Sequence, residues 1–294
     1  MECGIPDLPQ IEHEKILRIL QQHNLLHSHP LKSEYCKVEK SKKNTVVSII
    51  PKNKVPILLK LFTDNESWEN EIKIYTFRHE FDFFHQNQTN ITSFAIPKLL
   101  YWNRAYIITE YVLGKNLMDL ITDNIKDKWN SSFWENLLTN LFWWIVKFSD
   151  IYSVIPLDCH VRNFIIKSNV LYGVDFEELG IKNNEILLRA IVALYFSILG
   201  AYPGVIEGLE LKKKAKIGSL LIQVVIGSDF FIDIPPKDIA SLFLQDLKKE
   251  YNMVMQRRIN LHRGSDYDMN RIDSQMRKIL SYITSDYSSL LSEV

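Results

Sequence analysis

One stretch narrows the options of this chain more than any other. It runs Ile155-Pro156-Leu157-Asp158-Cys159-His160-Val161-Arg162-Asn163-Phe164-Ile165-Ile166, with Leu171-Tyr172-Gly173-Val174-Asp175-Phe176-Glu177-Glu178 behind it. Short apolar runs in it read as β-strands, and acidic residues, Asp158 and Asp175, stand beside them. An amide, Asn163, follows Asp158 by five positions. Phosphoryl transfer from ATP needs such a set. One carboxylate accepts the proton of an attacking hydroxyl, while an amide and a second carboxylate hold Mg²⁺ against the phosphates. Turn chemistry alone also places these residues, with Asp158 capping a turn after Pro156 and Asp175 ending a hairpin behind Gly173. A turn, however, says nothing about the residues far upstream.

Upstream, the pattern continues. Residues 11–26 carry Ile16, Leu17 and Leu20 at helical spacing. Residues 33–40, 45–51 and 56–62 then read as three strands, joined by the turns Ser41-Lys42-Lys43-Asn44 and Lys52-Asn53-Lys54. The third strand, Ile57-Leu58-Leu59-Lys60-Leu61-Phe62, holds a lysine inside an apolar run, which is costly unless its ammonium meets an anion. A wet edge strand is the plainer explanation. The next helix bears on the choice. Asn65 can cap it, and Trp68, Ile72 and Tyr75 form a core-facing stripe. Glu71 lies on that inward face and Glu69 on another, so Glu71 is the expected partner of Lys60. Residues 96–102 and 105–112 read as two further strands, the second running Ile107-Ile108-Thr109-Glu110-Tyr111-Val112 into Gly114. Ser132-Phe133-Trp134-Glu135 reads as a capping box before a long apolar helix that ends near Phe148.

The combination resembles the catalytic core of the aminoglycoside phosphotransferase and choline kinase group of the protein-kinase-like superfamily. Asp158, His160 and Asn163 match its Asp-x-His-x-x-Asn pattern, and Val174-Asp175-Phe176-Glu177 matches its metal-binding strand end. The resemblance covers about residues 33–200. It implies an α+β, two-lobe protein-kinase-like fold. Residues 1–112 form a nucleotide-binding N-lobe with a small antiparallel sheet and one main helix, and residues 113–294 form a mostly helical C-lobe. It implies γ-phosphoryl transfer from ATP, or GTP, to a hydroxyl of a small molecule. Asp158 then positions and deprotonates that hydroxyl, and Asn163 and Asp175 hold Mg²⁺. Lys60, oriented by Glu71, neutralises the phosphates. The main chain of Glu110 and Val112 meets the nucleobase edge, and His160 shapes the catalytic loop.

The match has departures. No glycine occurs between Gly4 and Gly114, so the turn at 41–44 is not a glycine-rich phosphate cradle, although Lys42 or Lys43 stand near it. Pro156-Leu157 replaces the usual His-Gly, and Arg162 takes the place of a small residue. A protein kinase would share the core, but no Ala-Pro-Glu signature is present and the run after Asp175 passes quickly into a helix. A non-catalytic nucleotide-binding regulator would tolerate the missing glycines. An anionic or nucleic-acid substrate is suggested only by Arg257, Arg258, His262 and Arg263, which a solvated helix face explains.

Composition adds exclusions. Lys plus Arg equals Asp plus Glu at 35 each, so net charge argues for no particular partner. Three unpatterned cysteines suit a reducing compartment, and the polar start has no signal-peptide pattern; the expected location is cytoplasmic. From Ile186 to Ile206 only Arg189 is charged, but Gly200, Pro203 and Gly204 break the run. It reads as a buried helix, with no membrane partner.

Overall fold

The expected strands form where runs rich in Val, Ile, Leu and Tyr lie between polar turns. The computed structural model describes residues 10–25, 36–39, 43–50, 55–77, 80–82, 91–126, 129–200, 210–260 and 269–288. The elements begin with helix α1 (Gln10–Gln22), strands β1 (Cys36–Glu39), β2 (Thr45–Ile49) and β3 (Ile57–Leu61), and helix α2 (Asn65–Tyr75). Strands β4 (Glu80–Asp82), β5 (Ser93–Ala95), β6 (Leu99–Asn103), β7 (Tyr106–Glu110) and β8 (Lys115–Asn116) come next. Helices α3 (Leu117–Lys126) and α4 (Ser131–Tyr152) lead to strands β9 (Val154–Pro156), β10 (Phe164–Lys167), β11 (Val170–Gly173) and β12 (Leu179–Ile181). Helices α5 (Asn184–Gly200), α6 (Leu211–Ile226), α7 (Pro236–Asn260) and α8 (Met269–Asp286) complete the described chain. The chain divides into two compact units. The first holds residues 1–81, 95–114 and 172–177, and the second holds 82–94, 115–171 and 178–294.

The first unit is built on a small antiparallel sheet of five strands in the order β1-β2-β3-β7-β6. Its strands sit where the apolar runs put them, with ends shifted: the strand expected over 96–102 runs Leu99–Asn103, because Pro97 cannot donate to a ladder. Strand alternation sends Val47, Ile49, Ile57, Leu59, Leu61 and Ile108 to one face. There Ile16, Ile19 and Leu20 of α1 cover them. His23, just past α1, pins the helix to β7 through a 2.6 Å hydrogen bond with the Tyr106 hydroxyl and stacks on Tyr101. The opposite face carries Lys60.

The second unit is mainly helical. Helix α4 starts two residues earlier than the expected capping box. Asn130, extended, accepts from the Phe133 N–H at 3.1 Å, so Ser132 is an ordinary second helical residue. Trp144 and Phe148 stack one turn apart on α4, and Phe164 of β10 meets Trp144 edge-on. Gly218 of α6 is a point of close approach. A Cβ there would lie 2.8 Å from both Ile283 of α8 and the Tyr195 ring of α5. β8 and β10 pair antiparallel at one edge of a second sheet, ordered β4-β5-β11-β10-β8, and β9 pairs with β12. Strand β12 therefore comes before the helix expected directly after Asp175. The apolar run from Ile186 is α5, and none of the described helices is long and apolar enough to cross a membrane. Pro203, Gly204, the turn 52–54, Lys42, His262 and Arg263 lie outside the described residues.

Candidate active site

Leu59 and Leu61 point into the α1 cluster, so Lys60 between them must point to the other side of the sheet. Its ladder neighbours are Val46 and Ile107. Helix α2 delivers an acid to this face. Asp64, not Asn65, caps α2: Asp64 is extended (φ −138°) and accepts from the Ser67 N–H at 2.8 Å, while Asn65 is already helical. The buried residues of α2 are Ser67, Glu71, Ile74 and Tyr75. The expected stripe through Trp68 and Ile72 is thus rotated by about one position. Ser67 can occupy it because its hydroxyl also bonds Asp64, at 3.0 Å. Glu71 is where the sequence placed it, buried, and Glu69 is exposed.

Lys60 Nζ donates to Glu71 Oε1 and, at 2.8 Å, to Asp175 Oδ1, and lies 2.5 Å from Glu177 Oε1. Burial pushes the ammonium down, but the charges of Glu71, Asp175 and Glu177 outweigh it and hold Lys60 above its ordinary range. Burial raises the Glu71 carboxyl to about 7, against the pull of Lys60 and with the push of Asp175 and Glu177. An ammonium ringed by carboxylates keeps its proton. The acids, not the lysine, carry the excess.

Asp175 reaches the cluster through an unusual backbone. Its φ is 69°, in the left-handed region that side-chain-bearing residues rarely adopt. The two residues after it hold it there. Phe176 is buried edge-on against Tyr75, with centroids 5.6 Å apart. The Glu177 carbonyl accepts from Asn70 Nδ2 at 2.8 Å, and its Oε1 accepts from Asn44 Nδ2 at 2.5 Å. Strain of this kind persists where surrounding contacts over-determine it, and it clusters at functional sites. Oxygens of Glu71, Asp175 and Glu177 lie within 4.8 Å of one another. Hard oxygen donors in negative excess are the set Mg²⁺ prefers, and Asp175, with its side chain 42% exposed, is the donor open to solvent.

The second unit shapes the Asp158 loop. Leu157 N–H donates to the Glu178 carbonyl at 2.9 Å, and the Cys159 thiol donates to the Pro156 carbonyl at 3.1 Å. Burial, and then the charge of Asp158, keep that thiol well above its usual range. His160 Nδ1 accepts from the Arg162 N–H at 3.2 Å and caps the 3-10 turn Val161–Asn163. Val161 N–H bonds Ser197 Oγ of α5, and Asn116 Nδ2 bonds the Arg162 carbonyl. Asn163 N–H bonds the His160 carbonyl, and its Nδ2 bonds the Asp158 carbonyl at 2.9 Å. That leaves the Asn163 amide oxygen, without a hydrogen bond among the described residues, as the atom suited to a cation. The Asp158 backbone is pinned and its residue is exposed.

At the end of β7, the Glu110 N–H donates to the Lys98 carbonyl at 2.8 Å and the Val112 carbonyl accepts from Gly114 at 2.9 Å. Among the described residues no backbone partner is found for the Val112 N–H.

The sequence singles out neither Asn44 nor Asn70, and takes in Glu177 only as the end of the Val174-Asp175-Phe176-Glu177 match. The one local signal is the Asp175-x-Glu177 spacing. Asn44 is 133 positions from Glu177, and nothing in its surroundings marks it.

No family model matches the chain, and no curated protein does. Among solved structures, "WaaP in complex with acyl carrier protein" is 13% identical, covers 74% of this chain and 88% of its own, and has a TM-score of 0.44. "The complex structure of Rv3197-erythromycin from Mycobacterium tuberculosis" is 12% identical, covers 74% of this chain and 68% of its own, and has a TM-score of 0.37. At such likeness neither carries weight, and the functional reading rests on the residues.

Proposed function

We propose that the chain is a kinase-like phosphotransferase that moves the γ-phosphoryl group of ATP, or GTP, to a hydroxyl of a small molecule. The observation that carries it is the buried Lys60–Glu71 pair with Asp175 on the same ammonium. In this reading residues 1–112 are the nucleotide-binding lobe, and residues 113–294 carry the catalytic loop and the acceptor-binding helices of a two-lobe protein-kinase-like fold. The aminoglycoside phosphotransferase and choline kinase group remains the nearest pattern. Lys60 binds phosphate oxygens, Glu71 holds Lys60 in place, and the backbone at Glu110 and Val112 meets the base. Asp158 takes the proton of the acceptor hydroxyl as its oxygen attacks the γ-phosphorus, and the nucleoside diphosphate leaves. Asn163 and Asp175 hold Mg²⁺, whose charge offsets that of the phosphates.

Calorimetric titration with ATP and GTP, with Mg²⁺ and with EDTA, tests the nucleotide half. Equal affinity in both media argues against a metal-bridged site, and no binding in either removes the reading. A panel of hydroxyl-bearing acceptors tests the transfer. The glycine-free turn at 41–44 favours a second reading, a nucleotide-binding regulator. Binding without transfer to any acceptor would favour it.

A further inference from the structure

Lys60 is ringed by three carboxylates. An ammonium has three N–H donors. Three carboxylates face them: Glu71, Asp175 at 2.8 Å and Glu177 Oε1 at 2.5 Å. Glu177 Oε1 also accepts a hydrogen bond from Asn44 Nδ2. Asn44 is 7% exposed, and its Oδ1 accepts from the Thr63 N–H at 2.9 Å, which fixes the amide with its donors toward Glu177.

The three acids would lose different things on leaving Lys60. The Glu71 side chain is 1% exposed, so its departure would strand a buried charge. Asp175 gives up its bond from Lys60 and is left to solvent, its side chain 42% exposed. Glu177, 14% exposed, gives up its contact with Lys60 but keeps a donor in Asn44.

We propose that Glu177 is a displaceable resting occupant of Lys60. Its carboxylate fills the third position around the ammonium. An arriving phosphate takes that position, and Asn44 retains the released carboxylate. This rests on reading Lys60 as the phosphate-binding residue. No covalent bond changes; one anion replaces another at a cation. The exchange selects for charge, because only a ligand that outcompetes a carboxylate already in contact gains Lys60. Asn44 also ends the glycine-free turn between β1 and β2, so a side-chain amide there serves the carboxylate that gives way.

The test uses the full chain, with calorimetric titration of tripolyphosphate in EDTA and of ATP with Mg²⁺. Glu177→Gln is expected to bind tripolyphosphate at least about tenfold tighter than wild type, because a like charge beside the ligand is gone. Lys60→Met should erase that gain. Asn44→Ala should weaken tripolyphosphate binding in the wild type and do nothing in the Glu177→Gln background, whereas a merely structural Asn44 would weaken both. Glu177→Asp, which withdraws the carboxylate by one methylene, gives a second route to the same gain if the amide does not fold. Unchanged or weaker tripolyphosphate binding in both Glu177 variants overturns the proposal. Weaker binding only with Mg²⁺ overturns it too, and assigns Glu177 to the cation. If ATP with Mg²⁺ binds in a Lys60-dependent way but the gain is missing, the resting-occupant idea falls alone. If wild type binds neither ligand, the phosphate role of Lys60 falls with it.

Discussion

The Lys60 ammonium donates to Asp175 Oδ1 at 2.8 Å, joining positions 115 residues apart in the chain. Asp175 thereby shares a cation with Glu71 that helix α2 had already supplied. Removing that cation leaves two acids facing a buried third. Lys60→Met should destabilise the protein by about 3–5 kcal/mol, the usual cost of breaking a buried pair by one partner. Adding Glu71→Gln should recover part of the loss. Chemical denaturation of the two single variants and the double one measures the coupling. Strictly additive effects would mean that Glu71 and Lys60 do not act as a unit.

Asp158 is a residue of turnover rather than affinity in the proposed reaction. Asp158→Asn keeps the shape of the side chain and removes the base. Transfer to an acceptor that wild type phosphorylates should fall by roughly 10²–10⁴, the usual worth of general-base assistance. Nucleotide affinity should stay within a few fold. Equal transfer rates would remove Asp158 from its role.

The α4 cap separates two neighbouring polar residues. Asn130→Ala should cost about 0.5–2 kcal/mol, as loss of an N-cap does, and Ser132→Ala should cost a few tenths at most. Thermal melts of both variants decide between them. The reverse order would restore the capping box at Ser132.

Gly218 predicts a packing defect. Gly218→Val places branched atoms where even a Cβ would meet Ile283 and Tyr195 at 2.8 Å. A loss of about 1–3 kcal/mol is expected from overpacking. Combined with Ile283→Ala, itself costly in a buried site, the loss should be smaller than the two single losses summed, and no change in the single Gly218→Val variant would show that α6 can shift freely.

What could be read ahead of the structure depended on how local its cause was. The five strands of the first sheet come from short runs of β-branched, aliphatic and aromatic residues, a property of adjacent residues. The Lys60–Glu71 pair was legible because each is a charge in an apolar pattern and must find an opposite one. The caps were missed where acceptors stand side by side, as at Asp64-Asn65 and Asn130-Ser131-Ser132, since the side chains are near-equivalent and only the backbone angles choose. The buried stripe of α2 was misplaced because size pointed to Trp68, while Ser67 goes inside by bonding Asp64. The pairing of Glu177 with Asn44 was out of reach. Their meeting is set by how distant segments return, and no periodicity records it.

The covering of the first sheet by α1 has a consequence during synthesis. Ile16, Ile19 and Leu20 are buried against strands that extend to Tyr106 and Ile108, and His23 is anchored by a hydroxyl 83 positions further on. At about 5–20 residues per second, α1 leaves the ribosome roughly 4–17 s before its anchor exists. Its apolar stripe is therefore an exposed adhesive for that interval, open to chaperones or to wrong partners. The helix that seals the sheet is made early and seated late.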